Sequence, residues 1–320
     1  MSSGVAATAG TPARLRPGAA ALLVAAVFVC FLPALGSQFV LWDDDMNFTD
    51  NPSYRGLSAS HLRWMFTTLY GGHYQPLSWL TLGLDYTIWA MNPTGYHLTN
   101  LLLHAANALL VYRVIVALVP GVGARAALVG ALLFAIHPLR VESVAWAAET
   151  KDLLCALFFV CACWAHVRRV RRGGSGNLVA VFALLSLMAK PMAVTLPLVL
   201  LLLDVWPLAR REPLRALVLE KLPLFVLSAA SAVITVLAQA YGGAVSSLQQ
   251  VPLGIRLGLA AVNLERYLSL TFWPTRLSPL YMAEHTPIGW MVASAAALAV
   301  VTAAAIASFR RRPPILIGWA

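Results

Sequence analysis

The sequence carries little charge for its length. Only 11% of its 320 residues are Asp, Glu, Lys or Arg, whereas 60% are hydrophobic. A soluble domain usually has about a quarter charged residues, so this chain has too few to cover a water-exposed surface. A lipid bilayer requires no such cover. The composition therefore excludes an ordinary soluble domain and indicates an integral membrane protein.

The net charge of +10 comes from an excess of basic residues, and their distribution is informative. A basic protein could bind nucleic acid, but here the arginines are bunched in short loops between apolar runs. This arrangement is typical of cytoplasmic loops under the positive-inside rule. We therefore expect membrane lipids as partners and no nucleic acid. The clusters lie at residues 168–172, 210–211 and 310–312.

The sequence also lacks the motifs of several common reactions. It contains no glycine-rich phosphate loop, no Ser/His/Asp arrangement and no CxxC pair, so nucleotide hydrolysis and thiol chemistry have no support. The cysteines lie within apolar segments, without the spacing of a metal site or a disulfide framework. We expect them to be small core or lipid-facing residues. They are Cys30, Cys155, Cys161 and Cys163.

Apolar runs alternate with polar loops and predict an all-α polytopic membrane protein. The N-terminal tail, residues 1–18, contains Arg14 and Arg16 and is expected on the cytoplasmic side. About eight spans and the start of a ninth follow within residues 19–320. The predicted spans are 19–41, 96–118, 126–136, 153–167, 178–189, 192–205, 222–241 and 288–309. The ninth run, 313–320, stops at the last residue, which predicts a fragment with a truncated C-terminus.

Two large outer loops, residues 42–95 and 242–287, are predicted to carry helices that lie on the membrane surface. One such helix should begin at Ser58 or Ser60, which are suitable N-caps. Residues 78–91 are apolar but too short for a span, so an interfacial or re-entrant segment is expected. Residues 260–273 contain charges and are also predicted to be a surface helix.

The acidic run Asp43-Asp44-Asp45 directly follows the first predicted span. Adjacent carboxylates repel each other, so at least one should have a raised pKa or a cation beside it. Such a group can act as a general base or bind a divalent metal cation, although no His is spaced to complete a metal site. The alternative is a solvated loop at a helix end. We predict these three residues to be catalytic and assign no metal ligands.

Basic residues stand at the predicted outer ends of helices, where such residues are usually depleted. Charges at a membrane boundary are costly and are candidates for function, and both Lys and Arg suit phosphate. A lipid-linked phosphate is the expected anion. The alternative is that the lysines snorkel or pair with Glu142, Glu149 and Asp152. The predicted phosphate-binding residues are Arg140, Lys151 and Lys190, with Arg256, Arg266 and Arg276 nearby in the second outer loop.

Other polar residues lie towards the same face. In the second span, polar residues recur at spacings of three and four, which more often indicates hydrogen bonds between helices than a binding site. This stripe comprises His97, Asn100, His104 and Asn107. Asp204, near an inner helix end, is predicted to be structural. The candidate substrate-binding residues are His73, Gln75, His97, His137, Glu142 and Asp152.

A series of short motifs resembles a known family. The motif order from about Gln38 onward resembles the membrane domain of the transmembrane and tetratricopeptide-repeat proteins, including bacterial relatives. These are GT-C glycosyltransferases, with protein O-mannosyltransferases as more distant relatives. The motifs are the acidic run, Asn51-Pro52, Gln75-Pro76-Leu77, Asn92-Pro93, residues 96–104, residues 133–138 with Glu142, residues 151–154 and residues 188–190.

The resemblance implies a GT-C-like helical bundle with a large first outer loop and a transferase that uses a polyprenyl-phosphate sugar. The donor is dolichyl phosphate mannose in eukaryotic members, and the acceptor is a hydroxyl of a protein or glycan. The family's acidic pair falls on Asp43 and Asp44, one acting as base. Lys151 stands where animal members often have Arg, and the tetratricopeptide repeats are not present in this chain.

We therefore expect an inverting glycosyl transfer at the non-cytoplasmic face, whether periplasmic, extracellular or luminal. One alternative is a non-catalytic membrane scaffold that acts through the missing repeats. A transporter of lipid-linked sugar is the least favoured reading. It would place polar groups near the middle of several spans, whereas here they collect at the outer ends.

Overall fold

The structure, a computed structural model, describes residues 16–119, 121–281 and 286–319. This part of the chain is predominantly helical and contains no β-strand. It contains five helices that are long and apolar enough to cross a membrane. These features confirm the prediction of an all-α polytopic membrane protein. Residues 1–15 of the predicted tail, with Arg14, and residues 282–285 of the second outer loop lie outside the described residues.

The α-helices of the described part are between six and 26 residues long. In chain order they are α1 Pro17–Phe31, α2 Ala59–Thr67, α3 Pro76–Trp89, α4 Pro93–Leu118, α5 Ala124–Ile136, α6 Arg140–Ala145, α7 Thr150–Arg172, α8 Asn177–Ala189, α9 Leu196–Val205, α10 Leu214–Glu220, α11 Leu222–Tyr241, α12 Leu253–Phe272, α13 Ile288–Ser308 and α14 Pro313–Trp319. Short 3₁₀ turns extend several of them, including Leu32–Gly36 after α1, Ala147–Glu149 before α7 and Pro191–Thr195 before α9.

The five candidate spans are α1 with its 3₁₀ extension, α4, α7 with the preceding turn, α11 and α13. Three further apolar helical segments, α5, α8 and Pro191–Val205, are shorter. A 13-residue helix is about 20 Å long, less than the roughly 30 Å thickness of a bilayer's hydrocarbon core. The predicted total of about eight spans therefore stays a prediction.

Helix termini meet at two opposite ends of the bundle. At the end that carries the acidic run, the Thr94 hydroxyl at the start of α4 donates to the Leu35 carbonyl after α1, at 3.0 Å. At the opposite end, Arg171 of α7 donates to the Leu118 carbonyl of α4, at 3.1 Å. We call these the site end and the arginine end. Successive long helices thus run in opposite directions and bring distant loops together.

The first helix is shorter than the apolar run predicts. Residues 19–41 were expected to form one span, but α1 ends at Phe31, a 3₁₀ turn continues to Gly36, and the chain is then extended. Pro33 explains the break because proline has no amide N–H and its ring clashes with the preceding helical turn. Residues 37–41 therefore belong to the first loop rather than to a helix.

Helices occur in both loops where the sequence predicts them, and their location on the membrane surface stays a prediction. Ser58 is the N-cap of α2, where its hydroxyl accepts from the His61 amide at 3.4 Å. The predicted surface helix at 260–273 is longer than expected, since α12 begins at Leu253. The short helix α10 was not predicted. The N–H of His137 Nε2 donates to the Thr271 carbonyl at 3.0 Å and holds the end of α12 against the turn between α5 and α6.

Three of the four residues in the polar stripe of α4 make hydrogen bonds to neighbouring segments, as predicted, and His97 is the exception. His104 Nε2 donates to the Ala135 carbonyl at the end of α5, at 2.8 Å. Asn107 donates to the Leu153 carbonyl of α7, at 2.9 Å. Asn100 donates to the Trp146 carbonyl just before α7, at 3.0 Å. These bonds fix the turn that leads into α7, and this turn contacts the acidic run.

A buried ionic cluster joins helices at the arginine end. Asp204 is fully buried and accepts from His166 at 2.7 Å and from Lys221. Glu220 forms ion pairs with Arg169 and Arg210, at 3.0 and 2.9 Å. The cluster links α7 and α9 to α10 and the start of α11. We therefore interpret Asp204 as structural, in line with the prediction from its position.

Candidate functional site

Asp44 lies at the centre of the site end and is only 1% exposed. Its Oδ2 accepts from the Val40 amide at 3.0 Å, and its Oδ1 accepts from the Ala148 amide at 2.9 Å. The carboxylate thus joins the first loop to the turn before α7. Burial raises the pKa of Asp44 above its usual value, although these two hydrogen bonds oppose the shift. A carboxylate in this position suits a general base.

A wide helical turn, Asp45–Thr49, begins at the last of the three acidic residues. The Asp50 amide donates to the Asp45 carbonyl at 2.9 Å, five residues back, and Asn47 donates to the Asp43 carbonyl at 2.7 Å. Asp45 uses its own side chain to accept from the Met46 amide at 2.8 Å. Asp43 has a side chain that is 43% exposed and approaches Lys151. The structure therefore gives the three predicted catalytic residues different surroundings, with Asp44 the buried one.

Asp43 is the first member of a row of ion pairs, which we call the ion chain. Lys151 Nζ lies 3.9 Å from Asp43 Oδ2 and 3.0 Å from Glu149 Oε1. Lys190 Nζ lies 3.2 Å from Glu149 Oε2 and 2.5 Å from Asp152 Oδ1. The ion chain thus contains three carboxylates and two ammonium groups. The lysines are paired as the alternative interpretation of the sequence proposed, with Glu149 and Asp152 as partners.

The electrostatics of the ion chain favour a charged Lys190. Burial opposes protonation of Lys190, but the Asp152 and Glu149 carboxylates outweigh it and raise the pKa of the ammonium above its usual value. His73 lies near the ion chain, where burial and the Lys151 charge lower its pKa. The ring nitrogen Nδ1 of His73 lies 3.3 Å from the Gln239 amide nitrogen of α11.

Arg140 differs from the two lysines. Its guanidinium lies 5.1 Å from the centroid of the Phe134 ring, and burial lowers its pKa. Within the described part of the chain, no carboxylate forms an ion pair with Arg140, and its Nε has no hydrogen-bond partner. The phosphate-binding role of Arg140, Lys151 and Lys190 stays a prediction, and only the two lysines already have anionic partners.

A cavity of about 570 Å³ opens beside Asp44. Its walls come from the extended residues after α1, from α4, from the turn around α6 and from α12 with the loop that follows it. This volume lies within the usual range of small-molecule sites. The polar side chains of its lining include Asp44, His97, Glu142, Asn263, Arg266 and Tyr281, and the apolar ones include Trp146, Leu270, Leu277 and Leu280.

His97 is the buried polar residue of this cavity with unused hydrogen-bonding capacity. It is 1% exposed, and among the described residues neither ring nitrogen has a hydrogen-bond partner within 3.5 Å, although the Ser37 backbone lies near the ring. The indole N–H of Trp146 lies beside the Asp44 carboxylate and also opposes the rise of its pKa. Unpaired buried polar groups are rare and need an explanation. Because His97 lines the cavity, a polar ligand bound there would supply the missing partner.

The other predicted substrate-binding residues fall in different places. Glu142 lines the cavity, and burial together with the nearby Glu149 charge raises its pKa. Asp152 belongs to the ion chain and also accepts from the Ser143 hydroxyl at 3.2 Å. Gln75 is buried just before α3. His137 is outside the cavity lining and holds α12. The structure thus brings His97 and Glu142 to Asp44, but not His73, Gln75 or His137.

Several contributors to the site were not predicted. The Ala148 amide that holds Asp44 is a backbone group, so no residue type marks it in the sequence. Trp146 and Asn263 line the cavity without belonging to any charge pattern. A candidate metal centre is also not formed, since the part of the chain that the structure describes has no group of three or more His, Cys, Asp or Glu side chains placed to bind a metal ion.

No protein-family model matches this sequence, and no solved structure matches it. The chain is similar to Protein O-mannosyl-transferase TMTC1 of Homo sapiens, with 32% identity over 63% of this chain and 26% of that protein. It is 33% identical to Protein O-mannosyl-transferase Tmtc1 of Drosophila melanogaster, over 59% of this chain and 23% of that protein. It is 30% identical to Protein O-mannosyl-transferase TMTC4 of Homo sapiens, over 49% of this chain and 24% of that protein.

The chain therefore spans about a quarter of the length of these curated relatives. They are protein O-mannosyl-transferases by name, which supports the resemblance seen in the motif order. The truncated C-terminus and the bacterial type stay predictions.

Proposed function

We propose that this chain is the membrane domain of a glycosyltransferase that moves a sugar from a polyprenyl-phosphate donor to a protein hydroxyl. The observation that carries the proposal is Asp44, a buried carboxylate held by two backbone amides in a cavity that also contains His97 and Glu142. The names of the relatives support a protein acceptor and mannose as the sugar. The proposed place of the reaction is the non-cytoplasmic face, with the N-terminus in the cytoplasm.

Asp44 is the proposed general base. It takes the proton from the acceptor hydroxyl while the hydroxyl oxygen attacks the anomeric carbon of the sugar. The bond between that carbon and the phosphate oxygen breaks, and the phosphate leaves with the electron pair, so the configuration is inverted. Each oxygen of Asp44 accepts one amide hydrogen bond and keeps a second acceptor position for the substrate. A raised pKa also brings a carboxylate closer to neutral pH, where a base is most effective.

The surroundings of Asp43 and Asp45 make them weaker candidates for the base. Asp43 has a partly exposed side chain whose Oδ2 lies 3.9 Å from the ammonium group of Lys151, so it is engaged by the ion chain. Asp45 is engaged by the amide of its own neighbour. We propose that Asp43 acts through Lys151 to hold the ion chain beside the site. On this proposal Lys151 and Lys190 hold the carboxylates of the ion chain in place beside the site.

The decisive experiment compares Asp44→Asn with Asp50→Asn in the same loop. Asp50 is exposed, and its side chain accepts a hydrogen bond from the neighbouring Thr49 hydroxyl at 3.3 Å. The assay measures mannose transfer from polyprenyl-phosphate mannose to protein in membranes that contain the chain. We expect Asp44→Asn to lower turnover by about 100-fold or more, as for the loss of a general base, and Asp50→Asn to leave it unchanged.

Donor binding serves as the control for folding in this experiment. In Asp44→Asn the amide group of Asn faces one of two backbone N–H groups, so the variant could lose structure as well as its base. Retained binding of the donor with lost turnover would support a base. Equal turnover of Asp44→Asn and wild type would refute the assignment. If the wild type transferred sugar from none of the polyprenyl-phosphate donors, the proposed reaction would be refuted and a scaffold would be favoured.

A further inference from the structure

Arg266 of α12 lines the same cavity as Asp44. Its guanidinium carbon lies 4.3 Å from the centroid of the Tyr281 ring and 5.5 Å from that of Trp290. In the described ranges, no carboxylate lies within 4.0 Å of this guanidinium. Stacking on aromatic rings fixes the plane of the group and leaves its N–H edge available for a ligand.

The other basic residues near the site have different surroundings. Arg256 donates to the carbonyls of Ser246, Ser247 and Val251, and so closes the loop before α12. Arg276 is exposed and does not line the cavity. The lysines of the ion chain are paired with carboxylates. Among the described residues, Arg266 is therefore the cationic side chain in the cavity lining.

The cavity lining carries side chains of both charges. Asp44 and Glu142 are acidic and would repel a phosphate, whereas Arg266 attracts it. Leu277 and Leu280 lie close to Arg266 in sequence, line the same cavity and are 42% and 51% exposed. They offer an apolar surface for a hydrocarbon chain. One ligand with a phosphate, an apolar tail and a polar head directed towards Asp44 fits this arrangement.

We propose that Arg266 binds the phosphate of a polyprenyl-phosphate sugar, so that the donor enters the cavity from the α12 side. The sugar then lies between Arg266 and Asp44, near the unpaired ring nitrogens of His97. Arg266 also stabilises the phosphate as it leaves, because its charge lies where negative charge develops. This inference rests on the proposed function for the sugar, but the binding of the lipid phosphate is testable without transfer.

The test measures binding of polyprenyl monophosphate to the purified chain in nanodiscs of neutral phospholipid. The variant is Arg266→Gln, and the matched control is Arg276→Gln, which removes an exposed charge ten residues away. We expect Arg266→Gln to weaken binding by about 10- to 100-fold, the range for the loss of charged hydrogen bonds. Arg276→Gln should bind like the wild type. Arg266→Lys keeps the charge without the planar fork and should fall between the two.

A second pair of variants tests the stacking without removing the cation. Tyr281→Leu removes the ring under Arg266 and should weaken binding by a few fold, at the lower range of cation–π energies. Tyr281→Phe keeps the ring but loses the hydroxyl, which joins Ser278 and Arg276 at 3.1 and 3.2 Å. If both Tyr281 variants weakened binding equally, loop structure rather than stacking would be responsible.

Competition with phosphatidylglycerol and with inorganic phosphate identifies the source of the phosphate. Displacement of the probe by polyprenyl phosphate but not by phosphatidylglycerol supports the inference, and equal displacement by both would show a general site for anionic lipid and overturn it. Equal binding by wild type and Arg266→Gln would overturn it while leaving the Asp44 proposal intact. A wild type that binds no polyprenyl phosphate would overturn both. If the Arg266 and Arg276 variants changed binding as expected but the wild type transferred no sugar, the proposed function alone would be overturned.

Discussion

Lys190→Met separates a structural role of the ion chain from phosphate binding. In the structure the Lys190 ammonium makes two charged hydrogen bonds, to Asp152 at 2.5 Å and to Glu149 at 3.2 Å. Each such bond contributes about 1.5–3 kcal/mol when desolvated. The Lys190 and Asp152 side chains are 26% and 32% exposed, so solvent screening lowers the total. We expect a loss of about 2–4 kcal/mol, consistent with breaking a partly buried ion pair.

The assay for Lys190→Met is the thermal unfolding midpoint in detergent, measured beside the affinity for polyprenyl monophosphate. The variant leaves Glu149 and Asp152 close together with only Lys151 to compensate their charges. Adding Asp152→Asn to Lys190→Met should therefore restore part of the lost stability, because one uncompensated carboxylate is removed. An unchanged midpoint with strongly weakened phosphate affinity would refute this reasoning and show that Lys190 binds the donor phosphate directly.

Two further predictions concern the base and the packing. Because the pKa of Asp44 is raised above the usual value of 3.8, transfer should be lost on acidification with a midpoint above pH 3.8, as measured by kcat/KM against pH. A midpoint at or below that value would contradict the role of Asp44. Gly95→Ala would place a methyl group 2.1 Å from Cγ of Trp89 and should destabilise the chain by about 1–3 kcal/mol. Gly254→Ala meets no atom within 4 Å and should be neutral or slightly stabilising in thermal unfolding.

The sequence predicts the helices better than their ends. Hydropathy locates α4 and α11 within a few residues, because long apolar runs have few other stable arrangements in a membrane. It misses the end of α1, where residues 32–41 are mostly apolar but Pro33 stops the helix. It also misses the first turns of α12, since Arg256 interrupts the apolar run without interrupting the helix. Hydropathy measures the preference for lipid, whereas helix ends depend on local backbone hydrogen bonds.

The acidic run shows why individual roles could not be assigned from the sequence. Asp43, Asp44 and Asp45 are adjacent and chemically identical, so no local pattern distinguishes them. Their directions depend on the wide turn closed between Asp45 and Asp50 and on the Ala148 amide, which lies 104 residues from Asp44. The presence of acidic residues in this loop was predictable, but the buried carboxylate is defined by a distant backbone group.

That distant group is itself fixed by the polar stripe of α4. Asn100 donates to the Trp146 carbonyl at 3.0 Å and accepts from the Thr150 hydroxyl at 2.6 Å, so it holds both sides of the turn that presents the Ala148 amide. The stripe was interpreted as structural, and the structure confirms its hydrogen bonds between helices. These bonds also connect α4 to the candidate base, since a displaced turn would withdraw the amide from Asp44. Asn100 does not touch Asp44 itself but holds the turn whose Ala148 amide binds this carboxylate. It is therefore a positioning residue for the site.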